Sequence, residues 1–262
     1  MVKSATRTLD ILEAIAAAPE GLSHTGIAKA LRIPKSSLTG LLRSLTQRRY
    51  LELDPHTGNY SIGPQVLPLG RSFLERLDIV KALRGLAAAL RDATDEAVTI
   101  SILDNDSIIV VLREQSRQPL TPIARVGDRA PALITASGKA LAAFEGEEVI
   151  ARMLTALGTL APRAALPRER LLRQFEEIRN GGLATVDGEW IDGVVALGLP
   201  VFGPDSSRPM ASLAVALPSI RMTPEKREFI EGQLRRTVLE ACLRLGASPE
   251  AARRVAGAGQ AA

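Results

Sequence analysis

The sequence predicts an α+β chain with an N-terminal winged helix-turn-helix, a linker helix and a larger domain built on an antiparallel sheet. Three observations carry this. Within residues 21–62, two short helical segments around a tight turn are followed by two strand-like runs flanking a Pro/Gly turn. Further on, β-branched runs come in pairs and are interleaved with helical segments, the pattern of an antiparallel α+β domain. The length of 262 residues suits two domains at ~100–200 residues each.

The elements follow in order. Leu9, Ile11, Leu12 and Ile15 give residues 6–18 one apolar stripe, and Pro19 and Gly21 stop that helix. Ser23 can cap the next helix, with Ile27, Ala28 and Leu31 as its buried residues. Pro34 pre-sets the backbone for a third helix whose inward face is Leu38, Leu41, Leu42 and Leu45. Turning that face inward sends Lys35, Ser36, Thr39 and Arg43 outward, with Ser37 at the exposed helix start. A recognition helix presents such groups to a major groove. Residues 50–53 and 59–62 then read as strands around the turn Asp54-Pro55-His56-Thr57-Gly58, which makes a wing. The expected DNA-contacting set is Arg7, Lys35, Ser36, Ser37, Thr39, Arg43, His56 and Thr57. A small helical subdomain with a hairpin for protein contacts is the alternative.

Charge favours DNA. Through Arg71 there are nine Lys or Arg against five acids, a net +4, which is the net charge of the whole chain; the remainder is formally neutral. The positive charge therefore sits with the reading head, as phosphate neutralisation requires.

Residues 1–63 are thus expected to form the DNA-binding domain, 64–77 a linker helix bent near Pro68 and Gly70, and 78–250 the second domain. In that domain, residues 97–103 and 107–113 form a hairpin around Asp104-Asn105-Asp106. A loop over 126–131 leads to helices beginning at Ser137, Glu147 and Arg168, the last ended by Gly181-Gly182. Strands over 194–202 and 210–217 and a closing helix over 224–245 complete the domain. Residues 251–262, Ala and Gly rich from Val255, read as a disordered tail.

Composition narrows function. No apolar run approaches the ~20 residues of a membrane span, and the amphipathic start lacks a signal-peptide core, so a cytoplasmic protein is expected. The single cysteine, Cys242, lies among leucines at helical spacing and reads as a buried apolar residue. Both histidines, His24 and His56, fall in the reading head, so the second domain lacks any histidine for a catalytic triad or a zinc site. Ser137-Gly138-Lys139 fails as a Walker motif, because Leu133 and Ala140 stand where glycine and Ser/Thr are needed. Asp187, Glu189 and Asp192 cluster around Trp190, and read as a polar loop beside a pocket rather than acid-base machinery. No catalytic residue, metal or cofactor is expected.

The chain resembles the IclR family of bacterial transcription regulators over nearly its whole length. SATRTLDILEAI is similar to the family's opening helix, IPKSSLTGLLRSLTQRRYLELDPHTGNYSIGPQVLPLG to its recognition helix, wing and linker. APALITASGKALAAF and GLATVDGEWIDGVVALGLPVF are similar to its effector-domain signatures. The resemblance implies a GAF-like ligand-binding domain behind the winged helix. It also implies homodimers or homotetramers on palindromic double-stranded operators, responding to small organic acids. The family usually carries an arginine where this chain has Gly40.

The resemblance further implies an effector pocket at Leu133, Thr135, Ala136, Ser137, Gly138, Val186, Asp187, Trp190, Ala196, Ala214 and Ala216. Family members often place histidine at position 133, aspartate at 186, cysteine at 196 and serines at 214 and 216. All five are apolar here, while the backbone N–H groups of 136–138 still suit a carboxylate at a helix start. The expected effector is an acid with an apolar or aromatic body, since glyoxylate would leave polar atoms unpaired against alanines. A constitutive regulator with a decayed pocket, and an enzyme fused to a DNA-binding module, stay open as alternatives. Whether Trp190 lines the pocket or covers the sheet is also open.

Overall fold

Ile11 and Ile15, one turn apart on helix α1 (Lys3–Ala16), anchor the N-terminal core. The computed structural model describes residues 3–76, 78–120, 124–160, 167–205, 207–255 and 257, and its contacts divide the chain into units 1–76 and 77–262.

In the first unit, β1 (Leu22–Ser23) leads into α2 (His24–Leu31), and Ser23 Oγ accepts the Gly26 N–H at 3.1 Å as the N-cap. Arg32 ends α2 in the left-handed region at φ 52°, making the tight turn into α3 (Lys35–Gln47). Ile27, Ile33, Leu38, Leu42, Leu45 and Leu51 close the core around α1. Strands β2 (Leu51–Leu53) and β3 (Asn59–Ile62) form the wing, with β1 added on the far side of β3. Leu9 departs from the sequence reading: it is exposed, so the α1 stripe is narrower than expected. The two-residue β1 is too short for alternation to reveal. Helix α4 (Val66–Arg76) accommodates Pro68 in its first turn, where the missing N–H leaves no helical bond unmade.

The second unit opens with α5 (Asp78–Thr94). Strands β4 (Ala97–Asp104) and β5 (Ser107–Glu114) pair around the two-residue turn Asn105-Asp106, with Asn105 at φ 55°. Next come β6 (Arg129–Pro131), a 3-10 turn at Ala132–Ile134, and helices α6 (Ala136–Ala142), α7 (Glu147–Leu160) and α8 (Arg168–Arg179). Strands β7 (Ala184–Asp187), β8 (Val194–Phe202) and β9 (Pro209–Pro218) lead to α9 (Pro224–Arg244) and α10 (Pro249–Val255). The six strands form one antiparallel sheet in the order β6-β5-β4-β9-β8-β7.

Period-2 alternation divides this sheet's side chains between two layers. Val98, Ile100, Leu197, Leu199, Leu213 and Val215, all buried, form the face covered by α5 and α9. Thr99, Ser101, Ala196, Ala214 and Ala216 lie on the other face, where α6 packs. At the start of β4, buried Glu96 is matched by Arg221 (Nε 3.0 Å and Nη2 2.5 Å) and by Lys226 Nζ (2.9 Å), which binds the sheet to α9. Cys242 is buried as expected; its Sγ accepts the Phe202 N–H at 3.3 Å, and burial pushes the thiol pKa up.

Two edge strands and one helix depart from the sequence reading. Residues 129–131, expected as loop, form β6, and β7 was not foreseen. Both are short edge strands, and one contains proline, so periodicity is faint. The tail expected to be disordered from residue 251 begins instead as α10. Buried Ala251, Ala252 and Val255 dock it against α9. The remainder, 256 and 258–262, lies outside the described residues. Among the described residues no helix is long and apolar enough to cross a membrane.

Candidate functional site

The reading head presents α3 with Leu38, Leu42 and Leu45 buried and Lys35, Ser36, Ser37, Thr39, Gly40 and Arg43 exposed. Leucines at a spacing of three and four dictate that outcome. Gly40 sits within the exposed face, and the place a Cβ would take is open, with nothing within 4 Å. The Thr39 hydroxyl is already engaged: it donates to Lys35 O at 2.9 Å and lies 3.0 Å from His24 Nε2, joining α3 to the start of α2. Arg7 on α1 is half-buried.

The wing turn is built on Asp54. Its carboxylate accepts the His56 N–H at 2.8 Å and the Thr57 hydroxyl at 2.9 Å, and these bonds hold its pKa below the ordinary aspartate value. Thr57 Oγ1 in turn accepts the Asn59 N–H at 3.3 Å. His56 and Thr57 are both exposed at the tip, but the Thr57 hydroxyl serves the turn. The sequence places both threonines correctly on the surface and misses that their hydroxyls have local partners.

In the second unit a cavity of about 320 Å³ lies between the sheet face under α6, the 124–137 segment and the β7–β8 loop. Eight of the expected pocket residues line it: Thr135, Ala136, Ser137, Val186, Trp190, Ala196, Ala214 and Ala216. Trp190 is therefore a wall of the cavity, and it is also 45% exposed.

Three expected residues do not line it. Leu133 is buried in the core formed with α7 and α8, because the 3-10 turn directs it away. Asp187 ends β7 and is exposed. Gly138 is packed against the preceding turn, where a side chain would collide with the Ala132 carbonyl, and its N–H is bonded to the Thr135 Oγ1 cap at 3.1 Å. Of the three N–H groups expected to meet a carboxylate, those of Ala136 and Ser137 keep the unpaired position of a helix start.

Sequence reasoning missed the other walls. Thr99, Ser101, Ile108, Val110 and Ala130 come from β4, β5 and β6, and Ile191 and Val194 from the β7–β8 loop and β8. Asp128 and Arg129 also line the cavity, and both have local partners. Asp128 Oδ2 accepts the Arg125 N–H at 2.7 Å, and Arg129 Nη2 pairs with Asp104 Oδ2 at 2.7 Å.

The most buried charge nearby is Lys139, next to the cavity-lining Ser137. It is fully shut off from solvent, with Nζ 2.6 Å from Glu189 Oε2 and 3.5 Å from Thr185 O. Desolvation lowers its pKa and the Glu189 carboxylate opposes that shift. This pairing breaks up the acidic cluster suggested by Asp187, Glu189 and Asp192. Glu189 faces Lys139, while Asp187 and Asp192 are exposed. Among the described residues no group of three or more His, Cys, Asp or Glu is placed to hold a metal ion.

Comparison with known proteins agrees with this architecture. Residues 4–55 match the IclR helix-turn-helix domain, and residues 71–243 match the bacterial transcriptional regulator IclR C-terminal domain. The chain is 26% identical over 248 residues to the transcriptional regulator XynR of Escherichia coli, covering 94% of this chain and 98% of XynR. An IclR regulator from Alicyclobacillus acidocaldarius has the same fold at a TM-score of 0.80 and 21% identity, covering 94% of this chain and 100% of that one. An IclR homologue from Microbacterium hydrocarbonoxydans, solved in complex with 4-hydroxybenzoate, superposes at a TM-score of 0.77 and 17% identity, covering 93% of this chain and 99% of that one. A winged helix with an exposed basic and hydroxylic recognition face, a cavity-bearing antiparallel domain and a match of both domain models in this order mean that the chain belongs to the IclR family of DNA-binding bacterial transcriptional regulators.

Proposed function

We propose that the protein is an effector-responsive regulator whose operator affinity changes when its cavity takes up an organic acid with an apolar or aromatic body. The observation that carries this is the largely apolar cavity wall: Ala196, Ala214, Ala216, Val186, Ile108 and Val110 line it beside four hydroxyl-bearing residues, and its two charged residues, Asp128 and Arg129, are engaged locally. A volume of about 320 Å³ falls at the low end of the ~300–1,000 Å³ typical of ligand sites. It is roughly twice that of an engineered ~150 Å³ apolar cavity that accepts benzene, so a substituted aromatic ring has room. The N–H groups of Ala136 and Ser137 would receive the carboxylate. A homologue's complex with 4-hydroxybenzoate supports an acid of this size.

A formed cavity argues against a decayed pocket. The commitment of Glu189 to Lys139, with Asp187 and Asp192 facing solvent, argues against an enzyme. On the DNA side, Lys35, Ser36, Ser37 and Arg43 read the operator, with Arg7 and His56 in support, and Thr39 and Thr57 shape the surface that does so. Exposed Leu67, Leu69 and Phe73 on α4 support a homodimer or homotetramer, since such apolar groups need a partner surface, and paired heads fit a palindromic operator. Effector and operator binding are coupled reciprocally by about 1–3 kcal/mol.

Titration calorimetry with benzoate and with glyoxylate tests the effector class. Benzoate binding with no glyoxylate heat is expected, and tight glyoxylate binding without benzoate would overturn it. Gel shifts on promoters flanking the gene, with and without benzoate, test the coupling. An identical shift in both would leave a constitutive binder.

A further inference from the structure

Of the four hydroxyl-bearing residues in the cavity wall, Thr99, Ser101, Thr135 and Ser137, Ser101 stands out. It is fully buried on β4 and lines the cavity, and its Oγ has no hydrogen-bond partner among the described residues. Its cross-strand neighbour Ser212 does not supply one. The Ser212 hydroxyl reaches the Ser101 carbonyl at 3.5 Å, leaving the Ser101 hydroxyl alone. Buried polar groups are nearly always paired, and alanine would fill the same place without a group to satisfy. The strand is also irregular at this point. Ile100 pairs with Leu112 and Ser101 with Val110, so Val111 is an extra residue on β5, a bulge of the kind that re-aims side chains beside binding sites. Thr99, two residues along the same strand, puts a second hydroxyl-bearing side chain in the cavity wall.

We propose that Ser101, with Thr99 beside it, recognises a hydroxyl on the effector's apolar body, remote from its carboxylate, so that the effector class is a hydroxylated aromatic acid rather than the unsubstituted one. This rests on the reading that the cavity takes an acid with an apolar body, and adds a second polar point to it. The hydroxyl can donate to or accept from the ligand, whereas an unsubstituted ring leaves it unpaired, as in a site built for a phenol that is offered a plain phenyl.

The test uses the full chain and isothermal titration with benzoate and 2-, 3- and 4-hydroxybenzoate, on wild type and on Ser101→Ala. At least one hydroxylated isomer is expected to bind about tenfold tighter than benzoate to wild type, as one added neutral hydrogen bond allows. Ser101→Ala is expected to lose that preference, bringing the ratio of hydroxylated-acid to benzoate affinity close to one. Ser101→Cys, of similar shape with a weaker donor, gives the same loss and serves if the alanine variant does not fold. Benzoate binding with no preferred isomer, or a preference that survives both substitutions, overturns the role of Ser101 and leaves the acid-binding reading standing. Absence of binding by all four acids overturns that reading and this inference together.

Discussion

Lys139 Nζ lies 2.6 Å from Glu189 Oε2, so a fully buried cation on α6 is held by a carboxylate on the loop that carries Trp190. The pair ties α6 to the β7–β8 loop beside the cavity. Burying both charges is costly, so such a pair fixes position more than it adds net stability. Removing one partner strands the other, so Glu189→Ala is expected to destabilise by about 3–5 kcal/mol. The double variant Lys139→Met, Glu189→Leu should recover most of that loss. A double-mutant cycle of denaturant melts checks this, and additive losses would contradict it.

Acid should loosen the wing turn as Asp54 protonates. Asp54 has its pKa depressed by the His56 N–H first and the Thr57 hydroxyl second. Its contribution is present above the ordinary aspartate value of 3.8 and is lost as pH falls through the lower, folded value. NMR titration should find the His56 amide moving with a midpoint below 3.8, and Asp54→Ala should abolish that titration.

Gly40 should accept a side chain gladly. With open space around its Cβ position, Gly40→Ala is expected to stabilise the first unit by up to about 1 kcal/mol, read from thermal melts. Gly40→Arg should tighten operator binding in gel shifts, and the gain should shrink as salt is raised.

Gly138 should behave in the opposite way. A Cβ there meets the Ala132 carbonyl, a backbone atom that cannot swing aside, so Gly138→Ala is expected to cost about 1–3 kcal/mol. The same displacement would disturb Ala136 and Ser137, and benzoate affinity in calorimetry should fall with stability.

Ala196 allows the cavity to be filled without touching the core. Ala196→Leu should weaken benzoate binding at least tenfold while leaving the melting temperature nearly unchanged, because the side chain enters space the ligand would use. Unchanged affinity would place the ligand elsewhere.

The legible parts of the fold were those with strong local chemistry. Leu38, Leu42 and Leu45 set the orientation of α3, Ser23 the start of α2, and Asn105-Asp106 the hairpin. Strands β6 and β7 were hidden because edges of three and four residues have too few positions to alternate. Helix α10 was hidden because Ala251 and Ala252 are small enough to read as tail and yet bury completely or nearly so against α9. At the cavity, family resemblance located the α6 start and the β7 to β9 wall. It did not reveal Thr99 and Ser101, whose strand looks apolar in sequence and whose place in the wall depends on where β5 and β6 pair. Lys139 and Glu189 are fifty positions apart, and no periodicity links them.

The split of the sheet into two faces also bears on how this chain can change over evolutionary time. Thr99, Ser101, Ala196, Ala214 and Ala216 line the cavity and under the proposed function would set ligand preference, while Val98, Ile100, Leu197, Leu213 and Val215, interleaved with them, hold the sheet to α5 and α9. Single-nucleotide substitutions in the first set would then redirect the regulator to a new ligand while the second keeps the scaffold intact. Such a protein could change its effector one residue at a time without passing through an unfolded ancestor.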